Sequence, residues 1–227
     1  MIQSAWILFL VFPLAAYVIG ATPFGVLLAR ARGEDLRKSG SGNVGATNVG
    51  RVLGRPWGYL CFVLDVAKGL GPVLAAGWVL QVLQPQEGQP PEAHRQVSWM
   101  LTACAAILGH VFSFYLGFRG GKGVATALGA VLGVWPYFTV PGLAALAVWI
   151  VLTLATRYVS VGSIGAASAF VPLVAGHCLL RGWPLSQLLP LLAFAMTMAL
   201  LIVVRHRANI SRLIHGTENK IGNGERK

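Results

Sequence analysis

Seven long apolar runs occupy most of this 227-residue chain, at 4–29, 57–83, 97–116, 123–140, 142–157, 164–181 and 185–204. A helix needs ~20 apolar residues to cross the ~30 Å hydrocarbon layer of a bilayer, and most of the runs are near that length. Charged residues make up 11% of the chain and hydrophobic ones 56%, whereas soluble domains are about 25% charged. An ordinary soluble enzyme is therefore excluded, and so is a disordered chain. A membrane β-barrel would need alternating strands of about ten residues, which these unbroken runs do not show. The expectation is an all-α integral membrane protein with seven transmembrane helices, forming a single polytopic domain over residues 1–227. The fourth and fifth runs are separated only by Pro141 and Gly142. No basic residue precedes Arg30, which predicts a retained first helix rather than a cleaved signal peptide.

The charge pattern orients the helices. The net charge is +11, and fifteen of the eighteen Lys and Arg fall in the segments 30–55, 119–122, 157 and 205–227. Placing those segments inside leaves only Arg95 and Arg181 outside, with Lys68 inside a helix. The positive-inside rule then puts the N-terminus outside and the C-terminus in the cytoplasm. The segment 84–96, polar and proline-rich, becomes a solvated outer linker. Cys61, Cys104 and Cys178 lie far apart within apolar runs and are expected to be small core residues. Gly129 and Gly133 form a small-xxx-small spacing suited to close helix packing.

Polar chemistry concentrates in three inward segments, about 39–51, 109–126 and 205–218. In the first, Gly40, Gly42 and Gly45 allow a tightly turned loop whose N–H groups could form an anion nest. Ser41, Asn43, Thr47 and Asn48 add polar side chains, and Arg51 a bidentate phosphate partner. The letters also satisfy GxGxxG, with Asp65 about twenty residues on, but that dinucleotide motif requires a preceding strand. Here an apolar helix precedes it, so the match is a decoy. The second segment carries Gly120, Gly121, Lys122 and Gly123 ahead of Thr126. It fails the P-loop pattern, because Gly117 is one residue too close to Lys122 and Gly123 replaces the metal-binding hydroxyl. What is left is a glycine loop with one lysine entering a helix N-terminus, which attracts phosphate; the alternative is a tight turn with a positive-inside lysine. The third segment, with His206, Asn209 and Glu218, is basic enough to be held by anionic lipid alone, yet carries hydrogen-bonding groups that lipid attraction does not require. A weaker polar segment, Tyr158 to Ser163, is expected on the remaining inward loop. Within the second run, Asp65 and Lys68 share one helix face, as a structural ion pair or as part of the substrate site.

The segments are rich in glycine, hydroxyl, amide and cation, and hold no His/Cys cluster with metal spacing and no GxSxG nucleophile elbow. Together they could form a phosphate-holding pocket at the cytoplasmic face beside lipid. Three sequences then carry a resemblance: SGNVGATNVGR, GHVFSFYLGFRGGKGVAT and HRANISRLIHGTE. With them the chain closely resembles the bacterial acyl-phosphate glycerol-3-phosphate acyltransferases, over essentially its whole length. Arg119 stands where that family more often has Lys. The HxxxxD motif of other glycerophosphate acyltransferases is absent, since the fifth residue after each His is Trp99, Tyr115, Gly182, Ser211 or Lys220.

The resemblance implies transfer of a fatty acyl group from acyl phosphate to the sn-1 hydroxyl of glycerol 3-phosphate, giving lysophosphatidic acid and inorganic phosphate. It implies a bacterial inner-membrane location, no metal or other cofactor, and no nucleic-acid partner. Membrane lipid and an upstream enzyme that forms acyl phosphate are the partners it suggests. It assigns Ser41, Arg51, Lys122, His206 and Asn209 to the substrates' phosphates. Gly42, Asn43, Thr47, Asn48, Gly120, Gly121, Gly123, Thr126 and Ser163 would line the substrate site, Thr47 and Asn48 also shaping the first loop. Asp65, Lys68 and Glu218 are expected to be structural. From a different class of function, a phosphate-anion transporter would use the same glycine loops and cations, but needs access from both sides.

Overall fold

The computed structural model describes residues 7–83 and 92–221, apart from the side chains of Ser186 and Gln187. Residues 4–6 of the first predicted run, most of the predicted outer linker and the terminal Arg226 and Lys227 lie outside the described residues. Every regular element among the described residues is helical. Six stretches are long and apolar enough to cross a membrane: Ile7–Arg30, Arg55–Val79, Ala93–Leu116, Thr139–Thr156, Val159–Leu180 and Leu188–Arg205. Most of their exposed side chains are apolar, Val63 at 60% and Leu154 at 73% exposure among them. That reverses the pattern of a soluble helix and fits a hydrocarbon surrounding. This is a multi-pass membrane protein.

The chain forms two compact units, Met1–Pro136 and Tyr137–Lys227. In the first, a π-helical turn (Ile7–Val11) leads into α1 (Phe12–Ala21), followed by α2 (Phe24–Arg30), α3 (Ala46–Val52), α4 (Arg55–Val79), α5 (Ala93–Val111) and α6 (Val124–Gly133). α1 and α2 are separated at Thr22-Pro23. Proline brings no N–H and pushes its predecessor out of the helical region, and Thr22 has ψ 118°. The Thr22 carbonyl accepts a hydrogen bond from Lys68 Nζ at 2.7 Å. Asp65, one turn earlier on α4, holds the same ammonium at 2.7 Å, and the Phe24 ring lies 5.7 Å from it. Both charged side chains are buried, so the pair ties α4 to the break in the first crossing.

Glycine sets how closely these helices approach. A Cβ at Gly20 or Gly109 would overlap the backbone of Ala106 or Tyr17, so α1 and α5 meet backbone to backbone. Gly129 and Gly133 likewise seat α6 against Val66 and Val73 of α4. The small-xxx-small spacing is thus used for packing within the chain. Trp99 Nε1 donates to the Val73 carbonyl at 2.8 Å and joins α5 to α4.

The predicted fourth and fifth runs divide at a different place than expected. α6 ends at Gly133 after ten residues, a rise of ~15 Å, and residues 134–138 form a turn. α7 (Thr139–Thr156) then takes in both Pro141 and Gly142. Pro141 is its third residue, where an N–H would have had no intrahelical acceptor. The second unit continues with α8 (Val159–Leu180), α9 (Leu185–Arg205) and α10 (Arg207–Ile214). α8 starts five residues before the predicted 164, so the segment placed on a loop forms its first turns. Ser163 Oγ donates to the Val159 carbonyl at 2.8 Å and accepts from Trp149 Nε1 of α7 at 3.2 Å. The core of this unit is aromatic, with Phe138 5.3 Å from Phe170 and 5.6 Å from Phe194. All three cysteines are free, Cys61 and Cys178 buried and Cys104 half-buried.

Removing one member of a buried ion pair leaves an uncompensated charge. Lys68→Ala is expected to destabilise the protein by about 3–5 kcal/mol. The double variant Asp65→Asn/Lys68→Met should be markedly more stable than Lys68→Ala, as read by thermal unfolding in detergent.

Candidate active site

The first polar segment is built around one amide. Asn48, in the first turn of α3, is buried. Its Nδ2 donates to the carbonyls of Leu36 at 3.2 Å and Ser39 at 3.1 Å. Its Oδ1 accepts the Ser41 N–H at 2.7 Å. Gly40 and Gly42, at φ +61° and +70°, take the left-handed conformations this winding requires. Asn43 Oδ1 accepts the Gly45 N–H at 2.9 Å, an Asx turn that opens α3. With Asn48 turned inward, Ser41, Thr47 and Arg51 are left on the exposed side. Thr47 and Arg51 lie one turn apart on α3, hence on a common face.

The second segment folds against the ends of α1 and α5. Ser113 Oγ donates to the Ala21 carbonyl and Tyr17 Oη to the Phe112 carbonyl, both at 2.6 Å. A 3-10 turn (Phe114–Leu116) and left-handed Gly117 reverse the chain. The Gly120 N–H then bonds to the Val111 carbonyl at 3.1 Å, and the Gly121 N–H to the His110 carbonyl at 3.2 Å. Lys122 follows, half-buried, and Gly123 at φ +82° turns the chain into α6. Thr126 is buried with its Oγ1 3.1 Å from His110 Nδ1. The nest expected of the glycines therefore gives way to internal bonding: the N–H groups of Ser41, Gly42, Gly45, Gly120 and Gly121 each have an acceptor within the chain.

Arg37 joins the two segments, its Nη2 donating to the Leu116 carbonyl at 3.0 Å and the Arg119 carbonyl at 3.3 Å. An open groove of about 640 Å³ lies here, walled by Arg30, Glu34, Asp35, Arg37, Tyr115 and Arg119 among others. Ser41, Arg51 and Lys122 do not line it. In the sequence Arg37 registers only as a positive-inside charge, and nothing there marks a role for His110. The spacing of neither residue signals its partners, since these are backbone carbonyls or side chains on other helices.

In the second unit Glu218 organises the third segment. Its Oε1 accepts from Asn209 Nδ2 at 2.6 Å and Ser160 Oγ at 2.9 Å, and its Oε2 from Arg212 Nε at 2.7 Å. These bonds fasten the tail to α8. The Ile221 N–H donates to the Arg157 carbonyl at 2.8 Å and Arg157 Nη2 to the Ile221 carbonyl at 2.9 Å, continuing the attachment. His206 is buried, with Nδ1 2.7 Å from the Ile202 carbonyl. A carbonyl only accepts, so the ring's N–H lies on Nδ1 and the lone pair of the neutral ring on Nε2.

Apolar spans carrying such buried polar fastenings and glycine-rich turns define an integral-membrane protein with hydroxyl, amide and cationic groups gathered at the helix ends. The profile of the family described as glycerol-3-phosphate acyltransferase matches residues 10–216. A glycerol-3-phosphate acyltransferase of Geobacter sulfurreducens is 44% identical over 212 residues, covering 93% of this chain and 96% of the relative. That of Aquifex aeolicus is 42% identical over 208 residues, covering 90% and 95%. The crystal structure of PlsY, described as an integral membrane glycerol 3-phosphate acyltransferase in its glycerol 3-phosphate form, superposes with a TM-score of 0.79. It is 38% identical, and the match covers 97% of this chain and 96% of that one. The lysophosphatidic acid form gives 0.77 at 37% identity. The chain belongs to the glycerol-3-phosphate acyltransferase family and is an acyltransferase.

Burial opposes ionisation of Glu218, but the hydrogen bonds from Asn209, Arg212 and Ser160 outweigh it and hold the carboxyl below its ordinary value of 4.5. The stabilisation is therefore present above pH 4.5 and is lost as pH falls through the lower folded value. Glu218→Gln should cost on the order of 1–3 kcal/mol at neutral pH. Its deficit in thermal stability against the parent protein should close on acidification well below pH 4.5.

Proposed function

We propose that the protein transfers a fatty acyl group from acyl phosphate to the sn-1 hydroxyl of glycerol 3-phosphate at the cytoplasmic face of a bacterial inner membrane. The observation that carries this reading is the Asn48-centred loop, which keeps Ser41, Thr47 and Arg51 exposed at the end of an apolar bundle. The solved relatives support it, since they are described in a glycerol 3-phosphate form and a lysophosphatidic acid form, an acceptor and its acylated product. Fifteen of eighteen basic residues lie in the segments assigned to the inside, which supports an outward N-terminus and a cytoplasmic tail. Seven crossings follow if the short apolar helix Val124–Gly133 and its flanking residues make one of them.

In this reading Ser41, Arg51 and Lys122 bind phosphate oxygens, with His206 and Asn209 given the same task by the family resemblance. Acyl phosphate is a mixed anhydride. The acceptor oxygen forms a bond to the acyl carbon, the bond from that carbon to the bridging phosphate oxygen breaks, and phosphate departs with the electron pair. The hydroxyl proton passes to a phosphate oxygen of the donor, so no protein base and no covalent intermediate are needed. The protein supplies orientation and fixed positive charge. Because the donor is labile, an enzyme that forms acyl phosphate must supply it.

Purified protein given palmitoyl phosphate and glycerol 3-phosphate should form lysophosphatidic acid without metal, nucleotide or coenzyme A. Uptake of labelled glycerol 3-phosphate into proteoliposomes without acyl product would instead establish a transporter. Lys122→Ala and Arg51→Ala should each lower kcat/KM by roughly a hundredfold or more. His206→Gln should keep the acidic limb of the kcat–pH profile. A loss of ~10²-fold with that limb abolished would make His206 the base.

A further inference from the structure

We infer that His110 is a positioning residue that sets the backbone on both sides of Lys122, held in place by a buried chain running from Lys68 through Asp65 to Thr126. The inference rests on the phosphate-binding role given to Lys122 above.

His110 is buried at the end of α5. Its Nδ1 lies 3.1 Å from Thr126 Oγ1 and 3.7 Å from Asp65 Oδ1. Its carbonyl accepts the Gly121 N–H at 3.2 Å. A Cβ at Gly120 would overlap that carbonyl, and a Cβ at Gly121 would overlap the ring at Nε2. The residues just before Lys122 and the first turn after it are thus seated on one histidine, its carbonyl and its ring. Two glycines are required because the ring and its carbonyl fill the space a side chain would need.

The ring's orientation has its own support. A carboxylate beside Nδ1 accepts only, and so favours the proton on that atom. Asp65 is fixed by Lys68 at 2.7 Å, and Lys68 by the Thr22 carbonyl at 2.7 Å. The Cys61 thiol lies 3.8 Å from Asp65 Oδ2 and completes the polar surroundings of that carboxylate. The chain therefore runs from the α1–α2 break across α4 and α5 to α6. Nε2 abuts Gly121, so the ring acts through the loop and not on the reacting atoms.

The test is steady-state acyl transfer by the full-length protein, with KM for glycerol 3-phosphate and kcat measured separately over a pH series. His110→Ala should raise KM between roughly ten- and a hundredfold, with kcat changed less and the pH profile kept. His110→Asn, which retains an amide N–H near the Nδ1 position, should recover most of the loss. Gly121→Ala should raise KM in the parent protein but add little to His110→Ala, which vacates the space the new methyl needs. If His110→Ala does not fold, Thr126→Val against Thr126→Ser decides in its place, with the KM increase expected only for valine. A folded His110→Ala, or Thr126→Val in its stead, with the parent's KM would overturn the inference. So would a loss confined to kcat with a flattened pH profile, which would make His110 a base. Lys122→Ala serves as the reference: unchanged kinetics there would refute the reading of Lys122 itself, whatever His110→Ala does.

Discussion

A charged pair inside an apolar bundle is tolerable only when each of its atoms has a partner, and that requirement organises the first unit. Lys68 has three protons to place and finds the Asp65 carboxylate, the Thr22 carbonyl and the face of Phe24. The carbonyl is available because Pro23 ends α1. Helix break and ion pair thus satisfy each other, and neither is stable alone in a medium without water. Asp65 in turn fixes the imidazole on which the glycine loop rests.

The two units solve one problem with different chemistry. Each must hold a cation-bearing segment against helix ends. The first unit does so with a neutral amide, Asn48, and with Arg37 bonded to main-chain carbonyls. The second uses a carboxylate, Glu218, which gathers a hydroxyl, an amide and a guanidinium. In both cases a buried or partly buried group, Asn48 or Glu218, fastens the segment; in the first unit Ser41, Thr47 and Arg51 stay exposed beside it, whereas in the second Asn209 is itself buried and bonded to Glu218.

Much of this was legible in the chain itself. Helical class and membrane residence follow from run length and the scarcity of charge. The Asp65–Lys68 pairing follows from its i,i+3 spacing. What was not legible has a common cause. The limits of α6 and α7 depend on residues 134–138 forming a turn, and an apolar run of uniform character does not reveal where that turn falls. The start of α8 was missed because Ser160 and Ser163 look like loop residues, whereas a hydroxyl bonded to Glu218 or to the carbonyl four residues back is at home in a helix. His110 was passed over because its partners lie 45 and 16 positions away. Only the assembled helices bring them together.

Arg37 has a consequence of another kind. Its guanidinium grips the main chain at positions 116 and 119, not their side chains. A latch of that sort is indifferent to what those two residues are. The identity of the side chain at position 119 leaves the latch as it is, and the turn is open to sequence drift at both points without loosening.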